Sequence, residues 1–96
     1  MQCHYSSMAH DDLTRIARHI ARTHPGHARA FAAEQRERCN MLARHPGMGH
    51  QHAELGGSTR LFAHGTYVIL FVALDGGGVR IERVLQSTTV PHTDNG

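Results

Sequence analysis

Between Met8 and Arg22 the apolar residues Ala9, Leu13, Ile16, Ala17, Ile20 and Ala21 recur every three or four positions, with Arg15, Arg18 and Arg22 on the remaining face. That period predicts an amphipathic helix. Ser6 or Ser7 is placed to cap its first turn. Asp11 and Asp12 bring negative charge near its start and Arg22 positive charge near its end, both signs suiting the helix macrodipole. Thr23-His24-Pro25-Gly26 interrupts the pattern, and Pro25 is well tolerated at the first position of a second helix, where its missing N–H has no partner to lose. This second helix is expected over 25–44, with Ala28, Phe31, Ala32, Cys39 and Leu42 on one side and Glu34, Arg36, Glu37 and Arg38 mostly outside. His45-Pro46 ends it, and Gly47, Gly49, Gly56 and Gly57 predict a flexible connector.

Beyond the connector the period falls to two. Segments 58–64, 66–74 and 79–86 read as strands separated by turns at His64-Gly65 and Asp75-Gly76-Gly77-Gly78, which makes an antiparallel meander. The middle run, Tyr67 to Leu74, is apolar on both faces, as a central strand requires. A short strand over 2–6 is placed to pair at a sheet edge. The order is then β-α-α-β-β-β, an α+β fold with a two-helix hairpin on one face of a small, twisted antiparallel sheet. One domain over 1–87 is expected, with 88–96 as a flexible C-terminal tail.

With 96 residues, 40% hydrophobic and 19% charged, and no apolar run near the roughly 20 residues of a membrane span, the chain belongs to neither the membrane nor the disordered class. The polar start Gln2-Cys3-His4-Tyr5-Ser6-Ser7 lacks the pattern of a secretory signal, which predicts a cytoplasmic protein with Cys3 and Cys39 as free thiols. The net charge is only +2, yet all ten cationic side chains are arginine. Guanidinium groups pair in bidentate fashion with carboxylates or phosphates, so an acidic partner or a nucleic acid suits them.

Chemistry is sparsely signalled. Arg60, Arg80 and Arg83 fall on neighbouring strands and are candidates to converge on one concave surface. On simple alternation Arg60 shares a face with Phe62, and Arg83 with Ile81 and Leu85, leaving Glu54 or Glu82 as ion-pair partners. His45, His50 and His52 lie in the connector without the spacing of a zinc site, so no metal is expected. His64, at a strand end, is the candidate general acid or base, although nothing in sequence pairs with it. No GxSxG, GxxxxGK[ST] or GxGxxG occurs, and Gly76 to Gly78 join two strands, which disfavours hydrolase and nucleotide-binding readings and predicts no cofactor. Cys39 reads as a small buried apolar residue.

From about Tyr5 to Leu85 the chain resembles the RelE/ParE toxin superfamily of bacterial toxin–antitoxin systems. The matching pieces are Ala9-x-x-Asp12-Leu13-x-x-Ile16-x-x-x-Ile20-Ala21, Pro25-x-x-Ala28-x-x-Phe31, Leu42-x-x-x-Pro46-Gly47-x-Gly49, Glu54-Leu55, Arg60, Tyr67-Val68-Ile69 and Ile81-x-Arg83-Val84-Leu85. The resemblance implies a small toxin neutralised by an antitoxin whose C-terminal segment wraps across it in a hetero-oligomeric complex, with any DNA contact made through the antitoxin. The mRNA interferases of the superfamily carry arginine directly after the central-strand tyrosine and basic residues after the last strand. Here those places hold Val68 and Thr88-Thr89-Val90, so the ParE branch fits better. ParE-like toxins are understood to inhibit DNA gyrase, and a ParD-like antitoxin is the implied partner. Many relatives continue the last strand as histidine-glycine-basic, where this chain has Gln86-Ser87-Thr88. The resemblance makes Arg60, Tyr67, Arg83, Val84 and Leu85, with Leu13, Ile16 and Ile20 on the first helix, the candidates for binding target or antitoxin, and assigns no catalytic residue. The alternative is a RelE-like, ribosome-dependent mRNA interferase using Arg60 and Arg83 with His64 or His92.

Overall fold

The computed structural model describes residues 2–51 and 53–89. A short strand β1 (Cys3–Tyr5) runs into helix α1 (Ser7–Ala21), and the chain returns along helix α2 (Pro25–Arg44). A two-residue strand β2 (His50–Gln51) precedes the meander of β3 (Arg60–His64), β4 (Tyr67–Ala73) and β5 (Val79–Gln86). Single 3-10 turns occupy Pro46–Met48, Ala53–Leu55 and Ser87–Thr89. Residues 90–96 of the expected tail lie outside the described residues. Among the described residues no helix is long and apolar enough to cross a membrane.

The strand order is β1-β5-β4-β3-β2. The meander is antiparallel as its turns predict, but β1 joins β5 in parallel, Cys3 beside Val79 and Tyr5 beside Ile81, so the five-stranded sheet is mixed. A three-residue strand carries no directional signal of its own. Its direction follows from Ser6, whose N–H donates to Ile81 O (2.9 Å) and whose Oγ donates to Glu82 O (2.7 Å) while accepting from Ala9 N (3.0 Å). One serine therefore caps α1 and ties its first turn to β5. The helix begins at Ser7, and its first turn holds no acid: Asp11 and Asp12 lie one turn further in.

Both helices pack on one face of the sheet. Ile69 and Phe71 of β4, Val79, Ile81 and Val84 of β5, and Phe31, Cys39 and Leu42 of α2 make a single core with Ala9 and Ile16 of α1. Val68 and Leu70, which alternate with those β4 residues, are also buried, in keeping with a central strand apolar on both faces. In β5 the buried positions run 79, 81 and then 84. Leu70 stands opposite Arg83 but Phe71 opposite Ile81, so Glu82 is the extra residue of a β-bulge. The bulge overturns the expected alternation: Val84, and neither Arg83 nor Leu85, continues the inward face of Ile81.

The connector is more ordered than its glycines suggest. Arg60 donates through one terminal nitrogen to Gly49 O (2.7 Å) and Gly47 O (3.3 Å), drawing the 3-10 turn and β2 against the β3 edge. Gly49 is buried, and a Cβ there would lie 2.8 Å from the ring of fully buried Phe71 and 3.0 Å from Leu61 O. Gly47 faces open space. Gly49→Ala should therefore destabilise the fold by about 1–3 kcal/mol through overpacking, whereas Gly47→Ala should stay within about 0.5 kcal/mol of wild type. Urea denaturation of the two variants checks this, and equal midpoints would refute the close packing at Gly49.

Candidate functional site

On the apolar stripe of α1, between Ala9 and Ile16, sits a carboxylate: Asp12 is only 1% exposed. Burying a charge is unfavourable unless donors replace its water, and four hydrogen bonds do so. Arg83 Nε reaches Oδ2 at 2.8 Å and its terminal nitrogen reaches Oδ1 at 3.0 Å, a bidentate fork across 71 residues of sequence. Val84 N donates to Oδ2 at 3.0 Å, and Arg15 to Oδ1 at 2.9 Å. The Val84 N–H belongs to the edge of β5 that β1 leaves uncovered beyond Tyr5. Asp12 thus closes an open sheet edge and pairs with two arginines. Burial by itself pushes its pKa up, but the fork from Arg83, the Val84 N–H and Arg15 outweigh that and hold it below the ordinary 3.8. The same fork raises the pKa of Arg83.

The Asp12 clasp sets α1 against the ends of β4 and β5, leaving a notch of about 340 Å³ lined by Arg15, Ile16, His19, Tyr67, Val84, Leu85 and Gln86. Its floor is apolar: Val84 is fully buried, Ile16 nearly so, and the Tyr67 ring leans on Phe31 at a centroid distance of 5.2 Å. Arg15 and His19 also border a second groove along the outer side of α1, lined further by Asp11, Thr14, Arg18 and Arg22. An apolar floor edged by guanidinium groups accepts an apolar side chain from a partner whose flanking groups are acidic.

Four of the eight candidate residues, Ile16, Tyr67, Val84 and Leu85, meet in this notch. Arg83 lies outside the notch lining, with its side chain 32% exposed. It braces the wall through Asp12, and its expected pairing with Glu54 or Glu82 gives way to that carboxylate because the bulge and the strand edge bring the two together. Glu82 instead holds Arg80 at 2.6 Å. Leu13 lies on another side of α1, in a groove shared with α2 and β1, and Ile20 packs against the core. Arg60 is two strands away at the opposite side of the sheet, committed to the connector carbonyls. The three strand arginines therefore do not converge on one cationic surface, since each is held by a different local partner.

His64 receives Arg38 Nε at Nδ1 (3.2 Å), which leaves the proton of the neutral ring on Nε2, facing Glu34 at 3.8 Å. Through that hydrogen bond it bridges α2 to the β3–β4 hairpin. Among the described residues no group of three histidine, cysteine or acidic side chains is arranged to hold a metal; His52, one of the three connector histidines, and His92 lie outside the described residues. Asp12, Arg15 and His19 were not singled out for the site by sequence. Asp12 did leave a signal, since an acid at i−4 to Ile16 on a buried stripe demands a buried partner.

Fold and notch together define a small α+β protein with a largely apolar notch between α1 and the ends of β4 and β5. The family model of the ParE toxin of the type II toxin–antitoxin system parDE matches residues 4–91. The chain belongs to that family and is the toxin component of a type II toxin–antitoxin system. A search of individually curated proteins found no match to the chain.

A folded-state pKa below 3.8 means that Asp12 adds stability above that value and loses it as pH falls through its folded-state value. Asp12→Asn should cost about 2–3 kcal/mol near neutral pH, the low side for a broken buried pair because the Arg83 side chain is 32% exposed. The gap between variant and wild type should narrow as pH falls from about 6 to about 2. Urea midpoints across that range measure it, and a gap independent of pH would show that the charge is not what holds α1 to β5.

Proposed function

We propose that this toxin acts in the cytoplasm as a protein inhibitor of DNA gyrase, arresting growth by binding, and that a ParD-like antitoxin neutralises it by laying an acidic, amphipathic segment into the α1 notch and along the arginine ridge. The observation that carries this reading is how the cations are used. Cleaving a phosphodiester requires a base to take the 2′-hydroxyl proton and free cations to stabilise the developing charge. Here Arg83 is paired with Asp12, Arg60 with two backbone carbonyls, and His64 accepts Arg38 at Nδ1. Arg18 and Arg22, by contrast, stand exposed along the outer face of α1. Their places suit electrostatic capture of an acidic chain ahead of docking in the apolar notch.

The supercoiling reaction of purified gyrase tests the target. Added toxin should abolish supercoiling and accumulate linear, cleaved DNA, and antitoxin should restore activity. Full supercoiling at excess toxin would reject gyrase as the target and turn the search to ribosome-bound mRNA. The antitoxin surface has a separate test. Arg18→Glu combined with Arg22→Glu should slow antitoxin association by about tenfold and flatten its salt dependence while leaving the fold intact. An unchanged association rate would move the docking surface elsewhere.

A further inference from the structure

At the side of α1 away from the notch, α1, α2 and β1 enclose an open groove of about 520 Å³. Tyr5, Leu13, Ala17 and Phe31 give it a mainly apolar wall, and among the described residues that line it only Arg36, exposed to solvent, carries a fixed charge. Gln35 lines the groove as well, although it is only 2% exposed. It occupies an apolar position of α2, since Phe31, Gln35, Cys39 and Leu42 follow the helical period as the buried stripe.

Two buried side-chain polar atoms lack a hydrogen-bond partner among the described residues, Arg60 Nε and Gln35 Oε1. The Arg60 guanidinium is otherwise held by the carbonyls of Gly47 and Gly49, so its place in the fold is explained. Gln35 Oε1 has given up water and gained no donor in exchange. Stability alone does not call for glutamine here, because methionine or leucine would fill the same stripe without that penalty. A polar group set against the local pattern, with nothing inside the fold to answer it, points to a partner outside.

We propose that this groove binds a small, neutral aromatic molecule carrying one N–H or O–H donor, with its apolar body on Tyr5, Leu13 and Phe31 and its donor on Gln35 Oε1. The volume is that of a small-molecule site, and a mainly apolar wall with one convergent polar group is the usual chemistry of such sites. The terminal torsion of a glutamine is soft, so a modest turn of the amide presents Oε1 to the groove that the residue lines. One orphaned acceptor asks for one donor, whereas an extended peptide would bring a row of them. Charge also separates this groove from the surface along the outer side of α1: an acidic chain suits Arg18 and Arg22 there, and a neutral molecule suits the wall here.

Indole and its hydrocarbon isostere indene are the probes, one with an N–H donor and one without. In nitrogen–proton correlation spectra of the purified toxin, indole should shift the amides of Tyr5, Leu13, Phe31 and Gln35 saturably and leave those of His19 and Leu85 in the notch unmoved. A Kd of about 1 mM is expected for a ligand of so few atoms. Indene should bind about tenfold more weakly, because it leaves Oε1 unanswered. Gln35→Met keeps the length and burial of the side chain without the acceptor, and should bind the two probes equally. No saturable shift, shifts centred on the notch, equal affinity of the wild type for indole and indene, or an indole preference kept by the variant would each overturn the proposal. So would protein in the groove, seen as displacement of indole by the antitoxin or as the same amides shifting with toxin concentration alone, the mark of a second copy. The comparison of indole with indene on the unsubstituted chain does not depend on how well the variant folds, and no readout depends on the identity of the toxin's target.

Discussion

A carboxylate buried on the hydrophobic face of a helix organises this molecule. Asp12 cannot leave water without replacement donors, and the bare edge of β5, where Arg83 and the Val84 N–H point the same way, supplies three of its four hydrogen bonds. Its need for partners sets where α1 lies on the sheet, and Ser6, six residues earlier, fixes the same edge through Ile81 and Glu82. The β-bulge at Glu82 belongs to this arrangement. Without the extra residue, Arg83 and Val84 would exchange faces, and the core would lose Val84 to the outside.

The clasp also shapes the surface. Because it holds α1 close to the ends of β4 and β5, Ile16, Tyr67, Val84 and Leu85 form a notch. Arg83 is buried in function though not in accessibility, since its charge is answered internally. Arg18 and Arg22 stand exposed along the outer side of α1, beside the notch through Arg15 and His19, and Arg29, Arg36 and Arg44 are exposed on α2. This is a division of labour among the arginines, in which Arg60 and Arg83 hold parts of the fold together while Arg18 and Arg22 stay exposed. The opposite flank of α1 carries another groove, where β1 meets the helix pair, lined by Cys3, Tyr5, Leu13 and Phe31 among others.

Much of the architecture was legible along the chain. Helix α2 was expected over 25–44 and spans Pro25–Arg44, because Pro25 starts it and His45-Pro46 cannot continue it. Strands β4 and β5 followed from apolar runs bounded by glycine turns. The candidate site was less legible: Ile16 followed from the helical period, whereas the inward place of Val84 and the roles of Arg60 and Arg83 did not. Guanidinium side chains span many ångströms, and their partners here, the carbonyls of Gly47 and Gly49 and a carboxylate 71 residues away, leave no local pattern.

The sequence by itself determined the element types, their order and the faces they bury, since these depend on periodicity and on local stops set by serine, proline and glycine. Only the tertiary structure decided the parallel docking of β1, the bulge that returns Val84 to the core, and the partner of every strand arginine. Those features satisfy donors and acceptors left over after local hydrogen bonding is complete. Which leftover groups meet is a property of how distant elements pack, and no window of neighbouring residues contains it.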